Sequence, residues 1–98
     1  MNTKVYQDVC SRADGYCEHC GKWFGERLEL HHILRRKIQA TKDNCLMLCQ
    51  NDHRGKAGVH GMLGHNLDIY LKKQLQEFYF NQGNNEDEVR KLMCGRIY

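Results

Sequence analysis

The sequence predicts a small α+β domain: a two-stranded hairpin and a short helix, set between one N-terminal helix and a C-terminal helical segment. Three observations carry this. Arg27–Ile33 and Asn44–Cys49 alternate with period two, as strands do. From Asn66 onward leucines recur at helical spacing. A Cys-x-x-Cys knuckle, Cys17 to Cys20, stands ahead of the first strand and points to a metal as the staple of the fold.

A staple is expected on size alone. A chain of 98 residues buries a modest share of its surface, and although hydrophobic residues make up 41% of it, its five Tyr, three Phe and one Trp are spread thinly. No repeat, low-complexity tract or linker interrupts it, so one domain over residues 1–98 is expected, with a core at 16–60 and helical support at 66–95. No apolar run approaches the roughly twenty residues of a membrane helix, and the N-terminus lacks the apolar stretch of a signal peptide. A cytosolic setting follows as an expectation. There, six cysteines read as thiolate ligands and packing residues rather than as three disulfides.

Residues 3–13 read as an amphipathic helix with Thr3 suited to its N-cap, ended by Asp14-Gly15. Cys10 in that helix reads as a small apolar residue. In the first strand Leu28, Leu30 and His32 share one face and Glu29, His31 and Ile33 the other. Residues 34–43 form a basic connection. In the second strand Leu46 and Leu48 oppose Cys45, Met47 and Cys49. Gln50 to about Ala57 suits a short helix, and Gly58, Gly61 and Gly64 mark an irregular loop. Asn66 suits the cap of a long helix with an apolar stripe of Leu67, Tyr70, Leu71, Leu75 and Phe78. Gly83-Asn84-Asn85 breaks it, and Glu86-Asp87-Glu88 opens a last helix closed by Gly95.

The net charge of +3 is unevenly placed: residues 22–56 hold eight Lys or Arg against four Asp or Glu. Positive charge around a histidine cluster suits a polyanion, although a solvated face also explains it. The Cys-x-x-Cys spacing by itself admits a redox dithiol, but the βαβ pattern of a thioredoxin-like site is missing.

Cys17-Glu-His-Cys20, Leu30-His-His-Ile33, Asn44, Leu46-Met-Leu-Cys49 and His53-Arg-Gly-Lys56 together resemble the HNH endonuclease family, in its zinc-supported form. The resemblance implies a ββα-metal finger and hydrolysis of DNA phosphodiester bonds to 3′-hydroxyl and 5′-phosphate ends, by nicking or double-strand cleavage. It implies His32 as general base, Asn44 as the residue that orients it, and His31 and His53 as ligands of Mg²⁺ or another divalent ion. The chemistry suits those residue types: a neutral imidazole accepts a proton near neutral pH, and a cation neutralises charge on phosphate. Asn44 as an ordinary strand-start residue stays open beside the catalytic role.

For the structural zinc the resemblance implies Cys17, Cys20 and Cys49. The second Cys-x-x-Cys of the family is replaced here by Cys49-Gln-Asn-Asp52, and Asp52 is the expected fourth ligand, with Cys45, His19 or a site that has lost its metal as alternatives. Cys45 and Cys94 read as packing residues. The family's later histidine position is Ala57, so His60 is assigned either to the catalytic ion or to loop packing. Arg35, Arg36, Lys37, Arg54 and Lys56, with Lys42, are expected to contact phosphates of double-stranded DNA. Arg35 stands where the family often has proline. The Gly-Val-His60-Gly segment and the Leu-rich helix resemble small phage and prophage members, which implies the cytoplasm of a bacterial or phage-infected cell, with a homodimer or protein partner open. The competing function is a non-enzymatic zinc module that binds nucleic acid or protein.

Overall fold

The structure is a computed structural model that describes residues 3–34 and 41–98. Helix α1 spans Thr3–Ala13 and buries Val9 and Ala13. Thr3 is already helical, so the cap position lies outside the described residues. Asp14 and Gly15, at φ of 51° and 84°, turn the chain back, and Tyr16 pairs with Trp23 across the Cys-x-x-Cys turn.

Strands β1 (Glu29–His32) and β2 (Cys45–Leu48) pair antiparallel, with Glu29 opposite Leu48, His31 opposite Leu46 and His32 opposite Cys45. Both strands are shorter than their alternation suggests. A 3-10 turn at Gly25–Arg27 precedes β1, another at Lys42–Asn44 precedes β2, and Cys49 leaves the sheet to cap helix α2, Gln50–Arg54. α2 stops three residues short of Ala57, because the backbone turns extended at Gly55, φ −65° and ψ 172°, whose amide still caps the carbonyls of Gln50 and Asn51 at 3.1 and 3.0 Å.

The segment expected to be an irregular loop is instead a regular spiral. Gly55, Gly58, Gly61 and Gly64 recur every third residue, each amide from Gly58 on bonding to the previous glycine's carbonyl at 2.8–3.1 Å. Two bonds tie the spiral to α2, Val59 to the Asp52 carbonyl at 2.8 Å and His60 to that of His53 at 2.9 Å, and Leu63 bonds to the Lys56 carbonyl within the spiral at 2.8 Å. Glycine is required here for close approach. A Cβ on Gly61 would collide with the Gly55 carbonyl, and one on Gly64 with the Gly58 carbonyl.

Helix α3 spans His65–Asn81 with Gly64 at its N-cap, so Asn66 sits in the first turn rather than at the cap. Its buried row is Leu71, Leu75 and Tyr79, flanked by half-buried Leu67. Phe78 and Tyr70, placed in the stripe from sequence, are 41% and 49% exposed. The reason is geometric: residues four apart form one ridge, and Leu67, Leu71 and Leu75 continue to Tyr79 rather than Phe78. Helix α4, Glu86–Leu92, opens with a reciprocal capping box between Asn85 and Glu88, both bonds 2.9 Å. Cys94, expected to pack, is exposed at φ 62°, at the turn that ends α4. Val9, Met47, Leu48, Leu71, Leu75, Val89 and Met93 belong to one buried cluster, which joins the helices to the finger.

Arg12, in the last turn of α1, fastens that helix to the sheet. Its guanidinium reaches both Glu18 carboxylate oxygens at 2.6 and 2.8 Å, the Lys42 carbonyl at 2.8 Å and the Cys45 carbonyl at 2.6 Å. Glu18 in turn accepts from the Met47 amide at 2.9 Å and donates its own amide to the Met47 carbonyl at 2.9 Å. Arg12→Ala is expected to lower stability by about 2 kcal/mol, since charge-assisted bonds are lost and two carbonyls lose a donor. The urea midpoint should fall at unchanged m-value, and Arg12→Lys should recover less than half, because an ammonium cannot fork.

Candidate metal centres and active site

Two clusters of metal-competent side chains lie on either side of α2. The first joins Cys17 and Cys20 of the knuckle to Cys49 and Asp52 at the start of α2, with ligand atoms all within 4.8 Å of one another. Cys20 and Cys49 sulfurs are 4.0 Å apart, and the Cys17 sulfur is 3.2 Å from the Asp52 carboxylate. These separations suit four ligands around one ion at bond lengths of about 2.0–2.3 Å.

Backbone amides already face the sulfurs: Cys20 to Cys17 at 3.5 Å and Asp52 to Cys49 at 3.4 Å, the latter also capping α2. Burial pushes the Cys49 thiol up to about 12. Burial also opposes ionisation of Asp52, but hydrogen bonds from Cys17, Cys49 and Cys20 outweigh it and hold that carboxyl below its usual range. A dication in the cluster would supply what Cys49 lacks, because metal ligation deprotonates a thiol outright. Three sulfurs and one carboxylate fit Zn²⁺. Of the other candidates for the fourth position, Cys45 is buried in β2 and His19 lies edge-on against Tyr70, ring centroids 5.8 Å apart. Neither belongs to this cluster.

The second cluster is His31, His53 and His60, again with ligand atoms within 4.8 Å. The rings stand edge to face, with centroids 5.4 Å apart for His31–His53, 5.1 Å for His31–His60 and 4.6 Å for His53–His60. His31, 2% exposed on β1, forms the floor; His60, carried in by the glycine spiral, forms the exposed rim. His32, next on the strand and half-buried, lines the same shallow depression of about 300 Å³, with Leu30. Three imidazoles suit a divalent ion of the later transition series better than Mg²⁺, which prefers oxygen ligands.

Glu29 escaped the sequence reading. It shares the period-two face of His31, and that pattern alone could have found it. Its carboxylate lies 2.9 Å from His53 Nδ1, which leaves Nε2 to face the cluster. Arg54 grips the same carboxylate at 2.9 and 2.6 Å. The His53 hydrogen bond, then Arg54, hold the Glu29 carboxyl below its usual range against the opposing effect of burial. Glu29→Gln is expected to weaken metal binding at the three histidines by about 10- to 100-fold, measured by competition with a chromophoric chelator.

Asn44 is fully buried. Its amide oxygen accepts from the Leu34 amide at 2.8 Å and its amide nitrogen donates to the Leu34 carbonyl at 3.1 Å, while its own carbonyl accepts from Ile33 at 2.8 Å. It thus closes the connection between the strands and fixes the backbone just after His32. Among the expected phosphate contacts, Lys56 is exposed and Arg54 is engaged by Glu29. Arg35, Arg36 and Lys37 lie outside the described residues.

Knuckle, antiparallel pair and short helix, with one ligand cluster at their base and one on their face, define a small ββα-metal finger. Residues 17–57, the stretch that makes up the finger, match the family model of the HNH endonucleases. Comparison with curated proteins and with solved structures gave no match. Among the described residues no helix is long and apolar enough to cross a membrane.

Proposed function

We propose that the protein is a metal-dependent endonuclease that hydrolyses DNA phosphodiester bonds in the depression above His31. The observation that carries this is the convergence of His31, His53 and His60 beside half-buried His32 in an HNH finger. His31, His53 and His60 would hold a divalent ion, which would supply charge neutralisation for the scissile phosphate and the departing 3′ oxygen. His32, outside the ligand cluster but lining its mouth, takes the proton of the attacking water. Asn44 serves as a positioning residue, acting through the Leu34 backbone to hold the end of β1 and with it His32. Glu29 fixes the tautomer of His53.

In this reading the chain works as one unit. Cys17, Cys20, Cys49 and Asp52 hold a zinc ion that sets the base of the finger, and α3 and α4 buttress it. Lys56 supplies a phosphate contact, Arg54 reaches phosphate only at the expense of Glu29, and Arg35–Lys37 add further positive charge. The purified protein should convert supercoiled plasmid to nicked circles with Ni²⁺, Co²⁺ or Mn²⁺ at least as fast as with Mg²⁺. A protein loaded with zinc in its cysteine cluster that cleaves nothing under any of these ions would instead mark a binding module.

A further inference from the structure

The spiral that delivers His60 continues into two side chains that the fold leaves in solvent: Met62 is 91% exposed and Leu63 is 60% exposed. Their support is not slack. Val59 is buried beneath them, and the amides of Val59, His60, Gly61, Leu63 and Gly64 are all bonded, at 2.8–3.1 Å. The pair is therefore held outward on a fixed turn, two and three residues beyond a candidate metal ligand.

The surrounding charge says what it faces. From His53 to Leu67 the chain carries no carboxylate, while Arg54, paired with Glu29, and exposed Lys56 are cationic. Leu63 donates its amide to the Lys56 carbonyl at 2.8 Å, which brings the backbone of that exposed lysine next to the turn. An apolar projection two residues beyond the rim of the depression, with a cation nearby in sequence, complements a stack of bases between two phosphate strands. Apolar side chains of this kind part base steps at a cost of a few kcal/mol per step, least at flexible pyrimidine–purine steps.

We propose that Met62 and Leu63 form a wedge that enters duplex DNA next to the three-histidine centre, unstacks a base step and so biases cleavage toward steps that open easily. This rests on the nuclease reading above and adds a source of selectivity to it. The test uses the metal-loaded full chain and the double variant Met62→Ser/Leu63→Ser. Both proteins are assayed for nicking of duplexes centred on TA, CA or AA steps, and for the fluorescence of a 2-aminopurine placed at the step.

Wild type should nick TA-centred duplexes about tenfold faster than AA-centred ones and raise the probe's fluorescence; the variant should show less than about twofold preference and no rise. Because both side chains are exposed, the variant's thermal unfolding should match wild type, which separates loss of the wedge from loss of the fold. A variant that keeps both the preference and the fluorescence change overturns the wedge and leaves the nuclease standing. So does a variant whose only change is loss of a dimer by light scattering, which would make the pair a self-association surface. Wild type that neither binds nor nicks any duplex overturns the nuclease reading itself, and the wedge with it.

Discussion

His32→Ala should reduce plasmid nicking by about a thousandfold while leaving metal binding and thermal unfolding unchanged. The expectation rests on where the fold puts two neighbouring residues. His31 points into the floor and meets His53 and His60, whereas His32 lines the mouth without joining the ligand cluster. Removal of a ligand would abolish activity by emptying the centre. Removal of His32 removes a proton acceptor only, so ion affinity must survive. Raising the pH should partly restore the variant, because hydroxide replaces the base. A variant as active as wild type, or one that has lost its ion, would refute this division of labour.

The second large effect concerns zinc. Cys20 is exposed and caps no helix, so without an ion its replacement by alanine would cost no more than about 0.5 kcal/mol. As one of four ligands to a zinc ion the same residue would carry part of a binding free energy of about 10 kcal/mol or more, comparable with the whole stability of a small domain. Cys20→Ala is therefore expected to unfold or nearly unfold the protein at room temperature. Wild type should hold about one zinc that EDTA removes with loss of its circular-dichroism melting transition. An unchanged melting curve in Cys20→Ala would show that the four side chains meet without a metal.

Much of this was legible in the chain. That Cys17, Cys20, Cys49 and Asp52 come together was legible through the family resemblance, in which Asp52 stands at the place of a thiolate and preserves a donor. His31 and His53 stood out for the same reason. Glu29 was visible in principle, since it repeats with His31 at period two, but nothing local says that a strand carboxylate will meet a helix imidazole. His60 was harder. Helical continuation from His53 leads to Ala57, and only a backbone free of Cβ atoms at Gly58, Gly61 and Gly64 can wind tightly enough to bring His60 back. Arg12 with Glu18 was out of reach, because the pair depends on how α1 lies across the knuckle. The exchange of Phe78 for Tyr79 turns on a single step around α3, which spacing alone does not fix.

One peptide unit of α2 deserves a thermodynamic reading. Asp52 belongs to one cluster and His53, its neighbour, to the other; the carbonyls of the same two residues anchor Val59 and His60. Covalent geometry thus joins a member of each cluster. Were an ion held at each, linkage would make any coupling between them reciprocal: each would change the other's affinity by the same factor, whichever binds first. Titrating the second ion into zinc-depleted and zinc-replete protein would measure that factor directly.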